Sequence, residues 1–326
     1  MSAADRLALL IPAYNATPWL ERLLASAKAQ TQPFDEIWVY DDCSSDGTAE
    51  LAERLGARVV RGEVNRGCSA GKNVLARRTT APWVHFHDAD DELLPGFVAL
   101  ARRWMAADAA DVVLFPYEER DDRTGEHIAW RRFDPADLAA DPRSYALREQ
   151  INPFCGLYRR EAFLAAGGHD EDPLVLYNED VAVHVRLAFA GLVFAAETEV
   201  AIVNHRRLDS MSAANAMKCV QAQYNVMRKA LELPGAQAYH REIASRLWRN
   251  AGLLAAHLDW ETADRAAALA ARLAPPAPAD GSALFRALAS ISPAGALRVR
   301  EALIRLARPD ARAGYPRRAA LAGARP

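Results

Sequence analysis

The sequence predicts an α/β fold with a mostly parallel sheet flanked by helices, followed by an α-helical C-terminal extension. Over the first third of the chain, short apolar runs alternate with helical patterns, as is typical of βαβ units. After residue 212 the sequence becomes Ala-rich and keeps apolar residues at helical spacing, which indicates helices. We therefore expect two domains, at residues 1–212 and 213–326, with a Pro-rich linker near residues 274–281 in the second.

Each element has its own local pattern. Short apolar runs predict strands, at residues 7–11, 36–40, 58–61, 83–86 and 112–115. Helical periodicity predicts helices between them, at residues 19–27, 46–55, 69–78 and 95–107, and Asp46 is the expected N-cap of the second of these. Further along, the pattern predicts a hairpin at 117–133, short strands at 157–159 and 192–196, and a helix at 181–190.

Composition and charge limit the classes of protein. The 326 residues are 51% hydrophobic, enough for a sizeable core, and the net charge of −2 gives no strong field for nucleic acid. The four cysteines are scattered without a C-x-x-C pair, which disfavours a zinc site or disulfide framework and favours a reducing compartment. No run approaches the ~20 apolar residues of a membrane span. We therefore expect a cytoplasmic protein, with peripheral attachment to the inner face of the cell membrane left open.

Polar and acidic residues gather where the predicted strands end. These segments are PAYN at 12–15, DDCSSDGT at 41–48 and HDADD at 87–91, and ligands bind at this edge of open parallel sheets. The first strand–helix turn has no glycine, so a Rossmann dinucleotide site is disfavoured, and the P-loop pattern is missing as well.

Asp88-Ala-Asp90 is a D-x-D pattern at a strand end. Two carboxylates one residue apart in a turn can face one hard divalent cation, which prefers oxygen ligands and bridges to substrate phosphates. The alternative is that these acids are solvated and favour the dipole of the next helix. The residues by themselves leave both interpretations open.

Five segments, taken in order, resemble the bacterial type of family 2 glycosyltransferases, which have the GT-A fold. They are PAYN, DDCSSDGT, NRGCSAGKN at 65–73, HDADD, and NED at 178–180, and the resemblance extends over about residues 7–212. It implies an inverting transferase that moves a sugar from a nucleotide-diphosphate donor, expected to be UDP-linked, to a hydroxyl of a glycan or glycolipid acceptor in cell-surface polysaccharide synthesis. It also implies a divalent cation, Mn²⁺ or Mg²⁺, as cofactor.

The resemblance implies roles for individual residues. The expected nucleotide-sugar-binding residues are Pro12, Tyr14, Asn15, Asp42, Asn65, Lys72, Asp88, Ala89 and Arg206. Asp42 matches the residue that accepts a hydrogen bond from the uracil N3–H. Lys72 takes the place of a frequent Arg, and its ammonium group cannot make the bidentate contact that a guanidinium group makes. The expected metal ligands are Asp90, Asp88 and His205, and the expected catalytic residues are Asp180, as general base, and Glu179.

Several of these residues also have a purely structural interpretation. The acid pair at 179–180 suits any helix N-terminus, and a lone His such as His205 is more often structural. Residues 205–212 resemble the basic and serine-containing segment with which the family closes over the diphosphate. Three aromatic residues are candidates for stacking on sugar rings or for packing in the core: Trp130, Phe154 and Tyr177.

Two other functions remain open. A nucleotidyltransferase is also α/β with acidic metal ligands, but it needs a basic glycine-rich loop that the sequence lacks. A non-catalytic scaffold would use the helical extension, which is rich in Arg after Arg286. That excess of positive charge suits contact with an anionic membrane surface or a solvated chain end. No nucleic acid partner is expected.

Overall fold

The computed structural model describes residues 5–207 and 214–315. The chain divides into two compact units between Ala214 and Asn215. The predicted boundary near residue 212 lies outside the described residues, as does most of the segment 205–212.

The first unit contains a mixed seven-stranded sheet in the order β10-β6-β9-β4-β1-β2-β3. Its strands are β1 (Leu7–Ala13), β2 (Glu36–Asp41), β3 (Arg58–Arg61), β4 (Trp83–Phe86), β6 (Val112–Leu114), β9 (Gly156–Arg159) and β10 (Phe194–Ala196). Strand β1 pairs in parallel with β2 and β4, whereas β9 is antiparallel to β4 and β6. All seven residues of β1 are buried, as expected of a central strand with both faces covered.

A second sheet of four strands has the order β5-β11-β7-β8. It consists of β5 (Glu92–Leu93), β7 (Tyr117–Asp121), β8 (His127–Arg131) and β11 (Ile202–Arg206). The hairpin predicted at 117–133 is the antiparallel pair β7–β8. Strand β5 continues the acidic loop, residues 87–92, and pairs with β11. This small sheet therefore anchors the acidic loop.

The helices of the first unit lie between the strands. They are α1 (Thr17–Lys28), α2 (Thr48–Arg54), α3 (Cys68–Arg78), α4 (Phe97–Ala107), α5 (Pro135–Ala140), α6 (Pro142–Arg148), α7 (Arg160–Ala165) and α8 (Glu179–Phe189). The predicted N-cap of α2 is wrong, because Gly47 holds that position with a φ of 83°. The Asp46 carboxylate instead accepts from Thr48 N (3.1 Å) and Thr17 Oγ1 (2.7 Å), and so it joins the starts of α1 and α2.

The second unit is helical throughout the described residues, as predicted. Its helices are α9 (Ala216–Ala230), α10 (His240–Ala256), α11 (Trp260–Leu273), α12 (Ala283–Ile291) and α13 (Pro293–Ala307). The Pro-rich segment joins α11 to α12, and the buried Trp248 donates from Nε1 to Ala274 O (3.2 Å) at its start. In residues 5–207 and 214–315, no helix is long and apolar enough to cross a membrane.

Candidate active site

A cavity of about 310 Å³ opens at the carboxyl ends of β1 and β4. It is lined by Pro12, Tyr14, Ala16, Trp19, Cys68, Asp88, Ala89, Asp90, Asp91, Asn152, Phe154, Glu179, Asn204, His205, Arg206 and Arg207. Eight of the residues predicted from the sequence are therefore brought together here: Pro12, Tyr14, Asp88, Ala89, Asp90, Glu179, His205 and Arg206. Five others do not line this cavity: Asn15, Asp42, Asn65, Lys72 and Asp180.

The acidic loop lines the cavity and is held in a tight turn. His87 N donates to Leu10 O (3.0 Å), which extends the pairing of β4 with β1, and Asp91 N donates to Asp88 O (3.3 Å). Asp91 is buried, and its carboxylate accepts from Asn204 Nδ2 (3.0 Å) and His205 N (2.9 Å) on β11. Burial, together with the charges of Asp90 and Asp88, raises the pKa of Asp91 well above its usual value. Asp91 thus fastens the loop, and Asp88 and Asp90 are the more exposed of the three aspartates that line the cavity.

Asp90 is paired with a cation of the protein itself. Arg207 Nη2 lies 2.8 Å from Asp90 Oδ2, and the guanidinium carbon of Arg207 lies 3.7 Å from the centre of the Trp19 ring. Burial and the charge of Asp88 raise the pKa of Asp90, while Arg207 acts to lower it. Arg207 belongs to the basic segment 205–212 singled out in the sequence, but its stack on Trp19 was not predicted, because the two residues are 188 positions apart.

Asp88 and Asp90 both line the cavity, and carboxylates are the ligand type that Mg²⁺ and Mn²⁺ prefer. Such ions are commonly held by one or two carboxylates and complete their coordination with substrate phosphates and water. Among the residues that the structure describes, no group of three or more His, Cys, Asp and Glu side chains is placed to hold a metal. In His205, the third predicted ligand, Nε2 lies 3.2 Å from Glu92 and Nδ1 lies 3.6 Å from Asp122. A metal-binding role for His205 would require it to leave one of these carboxylates.

The loops after β1, β2 and β3 are tied to one another. Asn15 has a φ of 48°, and its Oδ1 accepts from Ser45 N (2.9 Å). The buried Asp42 carboxylate accepts from Arg66 N (2.8 Å) and Gly67 N (2.7 Å), and so it holds the loop that begins α3. A carboxylate has about four lone-pair sites, so Asp42 keeps acceptor capacity beyond these two bonds.

The two acids at the N-terminus of α8, Glu179 and Asp180, differ in their surroundings. Glu179 lines the cavity, is buried, and accepts from Cys68 Sγ (3.1 Å). Burial raises the pKa of Glu179, and the nearby Lys72 opposes that rise. Asp180 is half-buried and accepts from the side-chain amide of Gln150 and from Val181 N (2.8 Å). The side chain that lines the cavity is therefore Glu179.

The three aromatic candidates also differ in whether they line the cavity. Phe154 lines the cavity, with its ring centre 4.9 Å from that of Tyr117. Trp130 lies on β8, is 49% exposed and contacts His127. Neither Trp130 nor Tyr177 lines the cavity. Asn152, which sequence reasoning missed, lines the cavity and donates to the Tyr117 hydroxyl (2.9 Å).

The chain is similar to known glycosyltransferases in both sequence and fold. Residues 8–165 match the family model described as Glycosyl transferase family 2. The succinoglycan biosynthesis protein ExoO of Rhizobium meliloti is 29% identical over 137 residues, which cover 41% of this chain and 38% of that protein. S. aureus TarS 1–349 in complex with UDP aligns with a TM-score of 0.66 at 17% identity, covering 93% of this chain and 92% of that one. The mannosyltransferase PcManGT from Pyrobaculum calidifontis, in complex with GDP-Man and Mn²⁺, aligns with a TM-score of 0.57 at 22% identity, covering 93% and 81%.

The fold is the GT-A fold, and residues 8–165 form a domain that matches the glycosyltransferase family 2 model. The resemblance is thereby confirmed; four of the five segments fall within the matched residues, and NED at 178–180 lies beyond them. The chain matches 31% and 35% of the length of two further curated relatives, so it spans about a third of these proteins.

Proposed function

We propose that this glycosyltransferase moves a sugar, with inversion, from a UDP-linked donor to a hydroxyl of a glycan or glycolipid acceptor. The observation that carries the proposal is the cavity into which Asp88, Asp90 and Glu179 face beside Arg206 and Arg207. Carboxylates for a divalent cation and guanidinium groups for phosphates are what a nucleotide diphosphate requires. The UDP in TarS and the GDP-Man with Mn²⁺ in PcManGT support it.

The donor side of the proposed site is formed by the loops at the carboxyl ends of β1 to β4. Pro12, Tyr14 and Asn15 contact the nucleotide, with Asp42 accepting from the uracil N3–H, and the other proposed donor contacts are Asn65, Asp88, Ala89 and Arg206. Asp88 and Asp90 would hold Mn²⁺ or Mg²⁺, with His205 as a further ligand. When bound, the cation would stabilise the negative charge that develops on the leaving diphosphate.

On the acceptor side, we assign the general base to Asp180. The acceptor oxygen attacks the anomeric carbon, the bond from that carbon to the diphosphate oxygen breaks, and the acceptor's proton passes to the carboxylate. The position of Asp180 in the NED segment at the start of α8 supports this role. Glu179 is the alternative base because it lines the cavity, and the two acids can be distinguished kinetically.

We further propose that the protein acts in polysaccharide synthesis and touches a membrane through its second unit. The name of ExoO supports the first point. For the second, α12 and α13 expose several apolar side chains: Leu284, Ile291, Leu303 and Leu306. Three arginines of this region are paired internally, Arg298 with Asp264 and both Arg305 and Arg312 with Glu301. We therefore expect apolar contacts to contribute more to this membrane binding than the number of arginines in the sequence suggests.

A thermal-shift panel of nucleotides and sugar nucleotides, with and without Mn²⁺, tests the proposed function. A specific ligand stabilises the folded state by about 2.7 kcal/mol at a hundredfold excess over Kd. We expect UDP and a subset of UDP-sugars to raise Tm, and more so with Mn²⁺. An equal response to ATP, CMP and UDP would contradict the proposal.

A further inference from the structure

Helix α3 contributes two side chains, four residues apart, at the cavity: Cys68 lines it, and Lys72 is buried and does not. Cys68 and Lys72 share one face of the helix, as i and i+4 positions do. Cys68 Sγ donates to Glu179 Oε1 (3.1 Å), and Lys72 Nζ lies 3.5 Å from Asp88 Oδ1. One face of α3 therefore meets both the acidic loop and the N-terminus of α8.

Lys72 is not placed as a donor ligand. Its side chain is only 2% exposed and does not line the cavity, whereas the side chain of its partner Asp88 is 38% exposed and does. Asp88 thus has one carboxylate oxygen against the buried ammonium while its side chain still lines the cavity. A buried ammonium is costly unless acids compensate it. Burial acts to lower the pKa of Lys72, yet Asp88, Cys68, Glu179 and Asp180 together raise it, so the side chain stays charged.

We propose that Lys72 is a positioning residue that fixes the acidic loop 87–92 relative to the N-terminus of α8. It does so as a buried side chain, through its ion pair with Asp88 (3.5 Å), one helical turn from Cys68, which donates to Glu179 (3.1 Å). The spacing between the acids on the donor side and those on the acceptor side is then set by one buried cation. This inference rests on the proposed function, because that function is what gives the two groups of acids their roles.

Hydrogen exchange of the full chain tests the inference without a substrate. The variant Lys72→Met keeps the length of the side chain and removes its charge, and Lys28→Met is the matched control, because Lys28 is exposed on α1. We expect Lys72→Met to speed exchange at least fivefold both in residues 87–92 and in residues 178–182, with Lys28→Met unchanged. Lys72→Arg, which restores the charge, should recover part of the protection in both segments.

Calorimetry with UDP and Mn²⁺ separates positioning from direct contact. If Lys72 only positions, UDP affinity in excess EDTA should change less than threefold in Lys72→Met, while the tightening of UDP binding by Mn²⁺ should weaken and turnover of a UDP-sugar should fall at least thirtyfold. Unchanged exchange in either segment, or a tenfold loss of UDP affinity with normal exchange, would overturn the inference. Should Lys72→Met not fold, Lys72→Gln is measured with the same criteria. If wild type does not bind UDP, the proposed function fails, while the exchange experiment still decides the role of Lys72.

Discussion

Replacing Arg207 by Gln should strengthen the binding of Mn²⁺ in the absence of nucleotide. The Arg207 guanidinium occupies Asp90 Oδ2 at 2.8 Å and is stacked on Trp19. A divalent cation that uses the same carboxylate has to share or displace this positive charge. Glutamine keeps a hydrogen-bonding group of moderate size and removes the competing charge.

The size of this effect follows from the exposure of the ion pair. The side chains of Arg207 and Asp90 are 13% and 29% exposed, so the pair is screened in part by solvent. A pair of this kind contributes about 1 kcal/mol, which corresponds to roughly fivefold in an equilibrium constant. The Kd for Mn²⁺ should fall by that factor in Arg207→Gln. The apo variant should lose about 1 kcal/mol of stability, because Asp90 then loses its ion-pair partner, and Mn²⁺ should restore it.

Titration calorimetry with Mn²⁺ alone measures this directly, and urea unfolding with and without Mn²⁺ measures the stability change. Arg54→Gln is the matched control, since Arg54 is exposed on α2. Weaker or unchanged Mn²⁺ binding in Arg207→Gln would refute the competition between arginine and metal for Asp90.

Three further predictions concern the base, the pH dependence and the membrane. Asp180→Asn should lower kcat by ~10²–10⁴ and leave the Kd for UDP nearly unchanged; a larger kcat loss in Glu179→Gln would move the base by one residue. Burial lowers the pKa of His87 to about 3 and that of His184 to about 4. Below pH ~6.5 each of these histidines takes up a proton only on unfolding. The free energy of unfolding should therefore fall by ~1.4 kcal/mol for each pH unit that the pH is lowered, for each histidine. Buried carboxyl groups with a raised pKa offset part of this loss. Urea unfolding at pH 7.5 and 5.5 checks this, and equal stabilities would contradict it. Leu306→Asp, at a side chain that is 82% exposed, should weaken sedimentation with anionic vesicles; unchanged sedimentation would exclude that residue.

The pattern of apolar residues predicted most of the first unit. Strand β4 begins and ends where the apolar run does, because a strand buried on both faces is mostly apolar along its length. The edge strand β3 also has the predicted bounds, although Arg58 and Arg61 at its ends are exposed. The antiparallel strand β9 inside the sheet was not foreseen, since a four-residue run carries no information on strand direction. The start of α2 was missed because Gly47 takes a left-handed conformation that moves the cap by one residue.

The candidate site was predictable in its location but less so in its geometry. Motif order placed Asp88 and Asp90 at the sheet edge, where the structure has them. Motif order does not specify which way a helical side chain points, and so Lys72 was expected in the nucleotide site, whereas in the structure it is buried and does not line the cavity. The Arg207–Trp19 stack depends on contact between distant segments, which a single sequence does not reveal.

The central claim is that Asp90 links a divalent cation to UDP binding, and calorimetry of UDP with wild type and Asp90→Asn tests it most directly. Each protein is titrated with UDP in excess EDTA and in saturating Mn²⁺. We expect Mn²⁺ to tighten UDP binding at least tenfold in wild type and less than twofold in Asp90→Asn, with the same Tm for both proteins in Mn²⁺-free buffer to within a few degrees. Equal enhancement by Mn²⁺ in the two proteins would contradict the account.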